Sequence, residues 1–296
     1  QLMQQFFQTL VSGLAQGSIY SSLALALVLI YKATEVINFA QGEMAMFTTY
    51  ISWSLITHHG FSYWPAFFAT LALAFVGGVA LQRTVIRPLE RASVLTMVMA
   101  TIALLVILNG LAAWIWSPQI QFFPSPFPTS SWVIGGVHIA KQDLGTFAVT
   151  IGCVVVLGAF FRFTKLGLAM RAGALNRDAA RLLGVRTGWL LALGWGFAAA
   201  LGAVSGMMVA PTVFLTPNMM QAVLIYAFAA AVLGGLESPV GAVVGGLALG
   251  VLLSMLGQYV GFVTSELQLP VALGVLLLVL LIRPAGLLGR AVVRRV

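Results

Sequence analysis

The sequence predicts an all-α, polytopic integral membrane protein, on three observations. Of 296 residues, 60% are hydrophobic and 7% charged, with a mean hydropathy of +1.03; soluble domains carry roughly 45–50% apolar and about 25% charged residues. Uncharged stretches long enough to cross a bilayer as helices recur along the whole chain. Lys and Arg gather in clusters between those stretches, in the positions a positive-inside bias requires. Such hydrophobicity excludes disorder. Without alternating ten-residue segments, a transmembrane barrel is excluded too.

About nine spans (eight to ten) fall at roughly 6–31, 38–57, 62–82, 94–117, 144–162, 189–213, 219–236, 240–257 and 268–282. The first has no basic residue before it and exceeds a signal-peptide core, so it is read as a true helix. The third is followed by Arg83, Arg87 and Arg91, and the fifth by Arg162, Lys165, Arg171, Arg177, Arg181 and Arg186. Lys32 follows the first, and Arg283, Arg290, Arg294 and Arg295 close the chain. With nine spans, 14 of 15 basic residues lie on one side and only Lys141 on the other. The N-terminus is then periplasmic and the C-terminus cytoplasmic. The breaks at 214–218 and 237–239 leave open a re-entrant pair within 214–240 in place of two full crossings. Trp53, Trp64, Trp114, Trp116 and Trp132 fall near the outer interface and Trp189 near the inner one. The net charge of +8 thus belongs to loops facing anionic lipid, not to nucleic-acid binding.

Residues 1–296 read as one transmembrane domain with two notable loops. The periplasmic loop, 118–143, holds Pro118, Pro124, Pro126 and Pro128, so it starts extended. A short hairpin follows, turning at Gly135-Gly136. The cytoplasmic loop, 163–188, is the longest on its side. Asn176 is placed to cap, Asp178 to sit at the positive end, and Gly184 to stop a helix of about two turns at 177–183. Its apolar edge is Ala179, Leu182 and Leu183 beside Arg177 and Arg181. So short a helix needs a surface to rest on, its own protein's or a partner's.

Helices in lipid associate through small residues that admit close backbone approach. Gly13/Gly17, Gly202/Gly206, Gly241/Gly245, Gly246/Gly250 and Gly257/Gly261 have that spacing. Most are read as packing positions.

No catalytic constellation is present. No Lys follows a Gly as a phosphate-binding loop requires, and there is no H-E-x-x-H helix. His58, His59 and His138 read as interface residues, and Cys153 as a small buried hydrophobe. No metal or cofactor site is expected on this chain. Glu43 is the only acid well inside a span, too few for a proton relay. It belongs to a polar cluster, Asn38, Gln41, Gly42 and Glu43, at the start of the second span. Asn38, Gln41 and Ala45 share one helix face by spacing, and Glu43 points elsewhere. These groups either cap the helix and bond neighbouring backbone, or line a polar pathway at a broken helix.

Asp178-Ala-Ala-Arg-Leu-Leu-Gly184 resembles the E-A-A-x-x-x-G coupling motif of ATP-binding-cassette (ABC) importer permeases, with Asp178 in place of Glu and the later I-x-L-P portion missing. Residues 13–20 (GLAQGSIY), 31–34 (YKAT) and 36–43 (VINFAQGE) closely resemble the LivH-type permeases of branched-chain amino-acid ABC importers. So do 231–246 (AVLGGLESPVGAVVGG) and 283–289 (RPAGLLG), in family order. The resemblance implies a multi-pass protein of the bacterial inner membrane. It implies a second homologous permease (LivM-type), two cytoplasmic ATPase subunits that carry ATP and Mg, and a periplasmic substrate-binding protein. Arg177, Asp178, Ala179, Arg181, Leu182, Leu183 and Gly184 would couple to the ATPases. The substrate would be a branched-chain or related hydrophobic amino acid; similar permeases serve urea, short amides and aromatic acids. The other class the residues admit is a stand-alone channel or secondary transporter for a small polar solute.

Overall fold

A computed structural model describes residues 2–90, 92–134, 137–175, 177–182, 184–261, 263–264 and 266–289. Its helices are α1 (Leu2–Thr34), α2 (Gln41–Thr57), α3 (Tyr63–Leu81), α4 (Val94–Trp116), α5 (Lys141–Phe163), α6 (Lys165–Leu175), α7 (Arg177–Leu182), α8 (Thr187–Val213), α9 (Met220–Gly234), α10 (Pro239–Tyr259) and α11 (Gln268–Ile282). Among the described residues, six helices are long and apolar enough to cross a membrane: α1, α3 with its extension, α4, α5, α8 and α10. The protein is a polytopic helical membrane protein. Strands β1 (Ser131–Ile134) and β2 (Val137–Ala140) pair antiparallel, Ser131 opposite Ala140 and Ile134 opposite Val137. The predicted turn residues Gly135 and Gly136, the predicted cap Asn176, and Leu183 lie outside the described residues.

The chain divides into two compact units. One comprises Gln1–Val28, Ser125–Thr150 and Ala222–Val296. Here α1 and α10 run antiparallel on facing glycines. A Cβ on Gly17 would sit 2.9 Å from the Gly246 carbonyl oxygen, and one on Gly13 2.8 Å from Val251 Cα. The Ser21 hydroxyl crosses the same seam to the Val243 carbonyl at 2.7 Å. Helices α9 and α10 form a tight hairpin in which Gly241 and Gly245 lie against Gly234 and the Ala230 carbonyl. Ser238 caps α10 by accepting from the Gly241 N–H at 3.0 Å, with Pro239 in the first turn. The segment after α11 returns to that hairpin: Leu287 N–H bonds the Leu233 carbonyl at 2.8 Å and Leu288 N–H that of Gly234 at 3.1 Å. Gly235 (φ 106°) and Gly286 (φ 78°) make this approach possible. The two motifs at 231–246 and 283–289 are therefore one piece of structure.

The other unit comprises Leu29–Pro124 and Ile151–Gln221. Its core is α8, packed against α3 and α2, with Trp195, Met207 and Met208 buried. Helix α3 runs antiparallel to α8: a Cβ on Gly78 would lie 2.8 Å from Ala199 Cβ, and one on Gly196 would meet the Phe75 ring. Past Leu81, α3 widens into a π turn (Gln82–Ile86) and then a 3₁₀ turn (Arg87–Leu89). The Arg83 guanidinium lies 3.6 Å from the Trp189 ring centroid, a cation–π contact.

Two expectations are corrected. The second helix starts at Gln41, not Asn38, because Glu35 takes a positive φ of 59° and the Asn38 side chain captures the Ala40 N–H at 3.1 Å. Asn38 thus precedes the helix instead of sharing its face. The cytoplasmic loop also contains a second helix, α6, which turns off α5 where Gly167 abuts Phe160 and Phe161.

Candidate functional site

Helix α2 begins deep inside its unit. It spans 17 residues, about 25 Å of helix against the ~30 Å of a hydrocarbon core. It runs parallel to α8, and the Gln41 side chain donates to the Ala198 carbonyl at 2.9 Å. Ala198 lies nine residues past Trp189, about 13 Å along α8. Glycines permit this fit. A Cβ at Gly202 would come within 2.8 Å of Gln41 Nε2, and one at Gly206 within 2.8 Å of the Ala45 carbonyl and into the Thr49 hydroxyl. Helix α4 lies alongside, with Tyr50 stacked on Trp116, ring centroids 5.2 Å apart.

Asn38, Gln41, Gly42 and Glu43 are all buried at this start. Asn38 Nδ2 donates to Gln41 Oε1 at 3.2 Å and lies 3.5 Å from the Met44 sulfur. So the cluster bonds backbone, as one of the two readings has it, through Asn38 to Ala40 and Gln41 to Ala198. Glu43 differs: its Oε2 is buried without a hydrogen-bond partner among the described residues. Asn109, on α4, is the polar side chain beside the Glu43 carboxyl. Asn109 Nδ2 also donates to the Pro217 carbonyl at 2.9 Å and to Asn218 Oδ1 at 3.1 Å, and Gln221 donates to the same Oδ1 at 3.0 Å. A polar line thus leads from buried Glu43 to exposed Asn218 and Gln221. Sequence reasoning missed Asn109 and Asn218; the available signal was an Asn fifteen positions inside the otherwise apolar α4.

The Tyr50 hydroxyl, the Ser52 and Thr70 hydroxyls and Trp195 Nε1, in the same unit, are also buried without hydrogen-bond partners among the described residues. Groups of this kind normally bond water or a ligand. No cluster of three or more His, Cys, Asp or Glu that would hold a metal ion occurs among the described residues.

The other predicted segment lies on α7, which contains Arg177, Asp178, Ala179, Arg181 and Leu182. It closes with Gly184 at φ 79°, Gly184 N–H to the Arg181 carbonyl at 2.9 Å and Val185 N–H to that of Ala180 at 3.0 Å. That is a Schellman closure. Arg181 Nε donates to the Thr187 hydroxyl at 3.0 Å, tying α7 to the start of α8. The inward residue is Ala180; Ala179 is exposed and Leu182 is 89% exposed. Of the predicted apolar edge, Ala179 and Leu182 thus face outward, and Leu183 lies outside the described residues.

Residues 9–282 match the family model described as branched-chain amino acid transport system / permease component. The chain is 32% identical to the high-affinity branched-chain amino acid transport system permease protein BraD of Pseudomonas aeruginosa, covering 98% of both chains. It is 29% identical to the corresponding LivH protein of Escherichia coli K12, again over 98% of both. It is 28% identical to a probable LivH permease of Methanocaldococcus jannaschii, over 92% of this chain and 90% of that one.

Proposed function

Since the chain belongs to the branched-chain amino acid transport system permease component family, we propose that it is the membrane-spanning subunit of an ATP-driven importer of branched-chain or related hydrophobic amino acids. In this reading nine helices cross the bacterial inner membrane, α1 starts on the periplasmic side, and the chain ends in the cytoplasm. A second, homologous permease completes the path. Two ATPase subunits bind ATP and Mg and press on α7, and a periplasmic binding protein delivers the substrate.

The observation that carries the reading is the buried start of α2. A helix that begins about 13 Å past Trp189 of its neighbour, with Asn38, Gln41 and Glu43 buried there, brings irregular backbone and polar groups to membrane depth. Such features are tolerated where they line a cavity or are covered by protein. Helix α7 supplies the second half of the mechanism. Its exposed Leu182 is a two-turn helix's means of resting on a partner, and its Arg181–Thr187 bond passes movement directly to α8, against which α2 is set. Closure of the ATPase pair would shift α7 and α8 together and favour one of two access states.

The test is purification of the tagged chain in mild detergent from its native membrane, followed by reconstitution with whatever accompanies it. ATP-dependent uptake of leucine by an assembly with two ATPases and a second permease is the expected result. A single species that passes a small polar solute without ATPases would replace this reading with a stand-alone channel.

A further inference from the structure

A cavity of about 510 Å³ lies within the first unit, between the first half of α1, the end of α10 and the start of α11. Its size falls inside the range of about 300–1,000 Å³ typical of small-molecule sites. Its lining differs from the rest of the chain. Nine of the eleven lining residues carry uncharged polar side chains and none is charged. Five are glutamines: Gln5, Gln8 and Gln16 on α1, Gln258 on α10 and Gln268 on α11. On α1 the series Gln5, Gln8, Ser12, Gln16 follows one helix face. Gln16 is exposed yet sits among Leu14, Ala15 and Ile19, well inside a membrane-length helix. A side-chain amide facing hydrocarbon there would be left unsatisfied at considerable cost, so this face requires water, a polar solute or a protein partner.

One charge borders the cavity. Ser12, a lining residue, donates from Oγ to Asp143 Oδ2 at 2.5 Å. Asp143 occupies the first turn of α5 and forms no ion pair among the described residues. Lys141 turns elsewhere, its ammonium 5.8 Å from the Trp132 ring centroid.

We propose that this cavity is a receiving site for the zwitterionic end of an α-amino acid, with the ammonium at the Ser12–Asp143 edge and the carboxylate on glutamine amides. The assignment rests on the amino-acid importer reading and adds a site to it. An ammonium offers only donors and a carboxylate only acceptors, while an amide serves either. A wall of amides with one carboxylate at its edge therefore matches a net-neutral zwitterion and disfavours a simple anion. The apolar lining is limited to Val263 and Gly257. The site consequently reads the common end of the amino acid and not its side chain.

The experiment is binding of radiolabelled leucine to the full chain in lipid nanodiscs, without the binding protein. Expected are saturable binding, competition by alanine within about threefold of leucine, and none at matched concentration by 4-methylpentanoate or 3-methylbutylamine, which each lack one end. Asp143→Asn should weaken binding by about tenfold or more, as loss of a charged hydrogen-bonding partner does, while Asp143→Glu retains it. Gln258→Met, on the opposite wall, should also weaken binding and covers the case in which Asp143→Asn does not fold. Wild-type affinity in both Asp143→Asn and Gln258→Met, or competition by 4-methylpentanoate equal to that of leucine, overturns the proposal. Leucine uptake by the assembled transporter without binding to this chain overturns the site alone; neither uptake nor binding overturns the importer reading with it.

Discussion

Gln41 Nε2 and the Ala198 carbonyl lie 2.9 Å apart, and this bond sets the depth at which α2 begins. Replacing Gln41 with Leu keeps the bulk but removes the donor to α8 and the acceptor that Asn38 uses. Leaving a buried partner unsatisfied costs about 1–3 kcal/mol. The expected outcome is a Tm lowered by several degrees in detergent, together with lost uptake; an unchanged Tm would show that α2 is held by packing alone.

The glycines at the α2–α8 seam make a paired prediction. At Gly206 an added methyl meets the Thr49 hydroxyl and the Ala45 backbone, whereas nothing lies within 4 Å of one at Gly77. Gly206→Val should abolish a monodisperse size-exclusion peak. Gly77→Ala should elute and melt like wild type, gaining if anything some helix propensity.

Exposure of Leu182 separates coupling from folding. At 89% exposure its replacement by Asp costs the fold little, and Tm should stay within experimental error. ATP-driven uptake should fall to background, with loss of ATPase co-purification. Asp178→Ala should behave similarly in uptake. Full uptake by both variants would exclude α7 as the docking element.

Two glycines with left-handed backbone test the C-terminal closure. Gly60 (φ 69°) has open space around it, while a Cβ on Gly286 (φ 78°) would lie 2.6 Å from the Val232 carbonyl oxygen. Gly60→Ala should cost only the conformational penalty of about 1–2 kcal/mol. Gly286→Ala should cost more and detach the 283–289 turn from α9. Limited proteolysis reads this directly as new cleavage within that turn.

The architecture was largely legible because apolar length is a direct physical requirement of a bilayer, and each predicted span coincides with a helix. Glycine spacing was legible for the same reason: close approach needs small residues, and Gly13, Gly17, Gly246 and Gly250 meet across one seam. The start of α2 was not, since Val36 to Gln41 is compatible with helix until a distant carbonyl on α8 and a positive φ at Glu35 decide otherwise. Helix α6 was hidden because its glycines at 167 and 173 weaken any propensity signal, and its packing on α7 and α8 is not visible in local sequence. The series Gln5, Gln8, Ser12, Gln16 was in plain view, but hydropathy averaged over the span conceals a polar stripe. Asp143 is 131 residues away from its partner Ser12, beyond any local pattern.

The buried start of α2 has an electrostatic consequence. The peptide dipoles of a helix sum to about half a positive charge at its N-terminus, and here that pole is held in a low-dielectric interior. Glu43, in the first turn, is the matching negative group. With that carboxyl beside it the pole is locally compensated, so the buried helix end is a paired charge site and not a bare positive one.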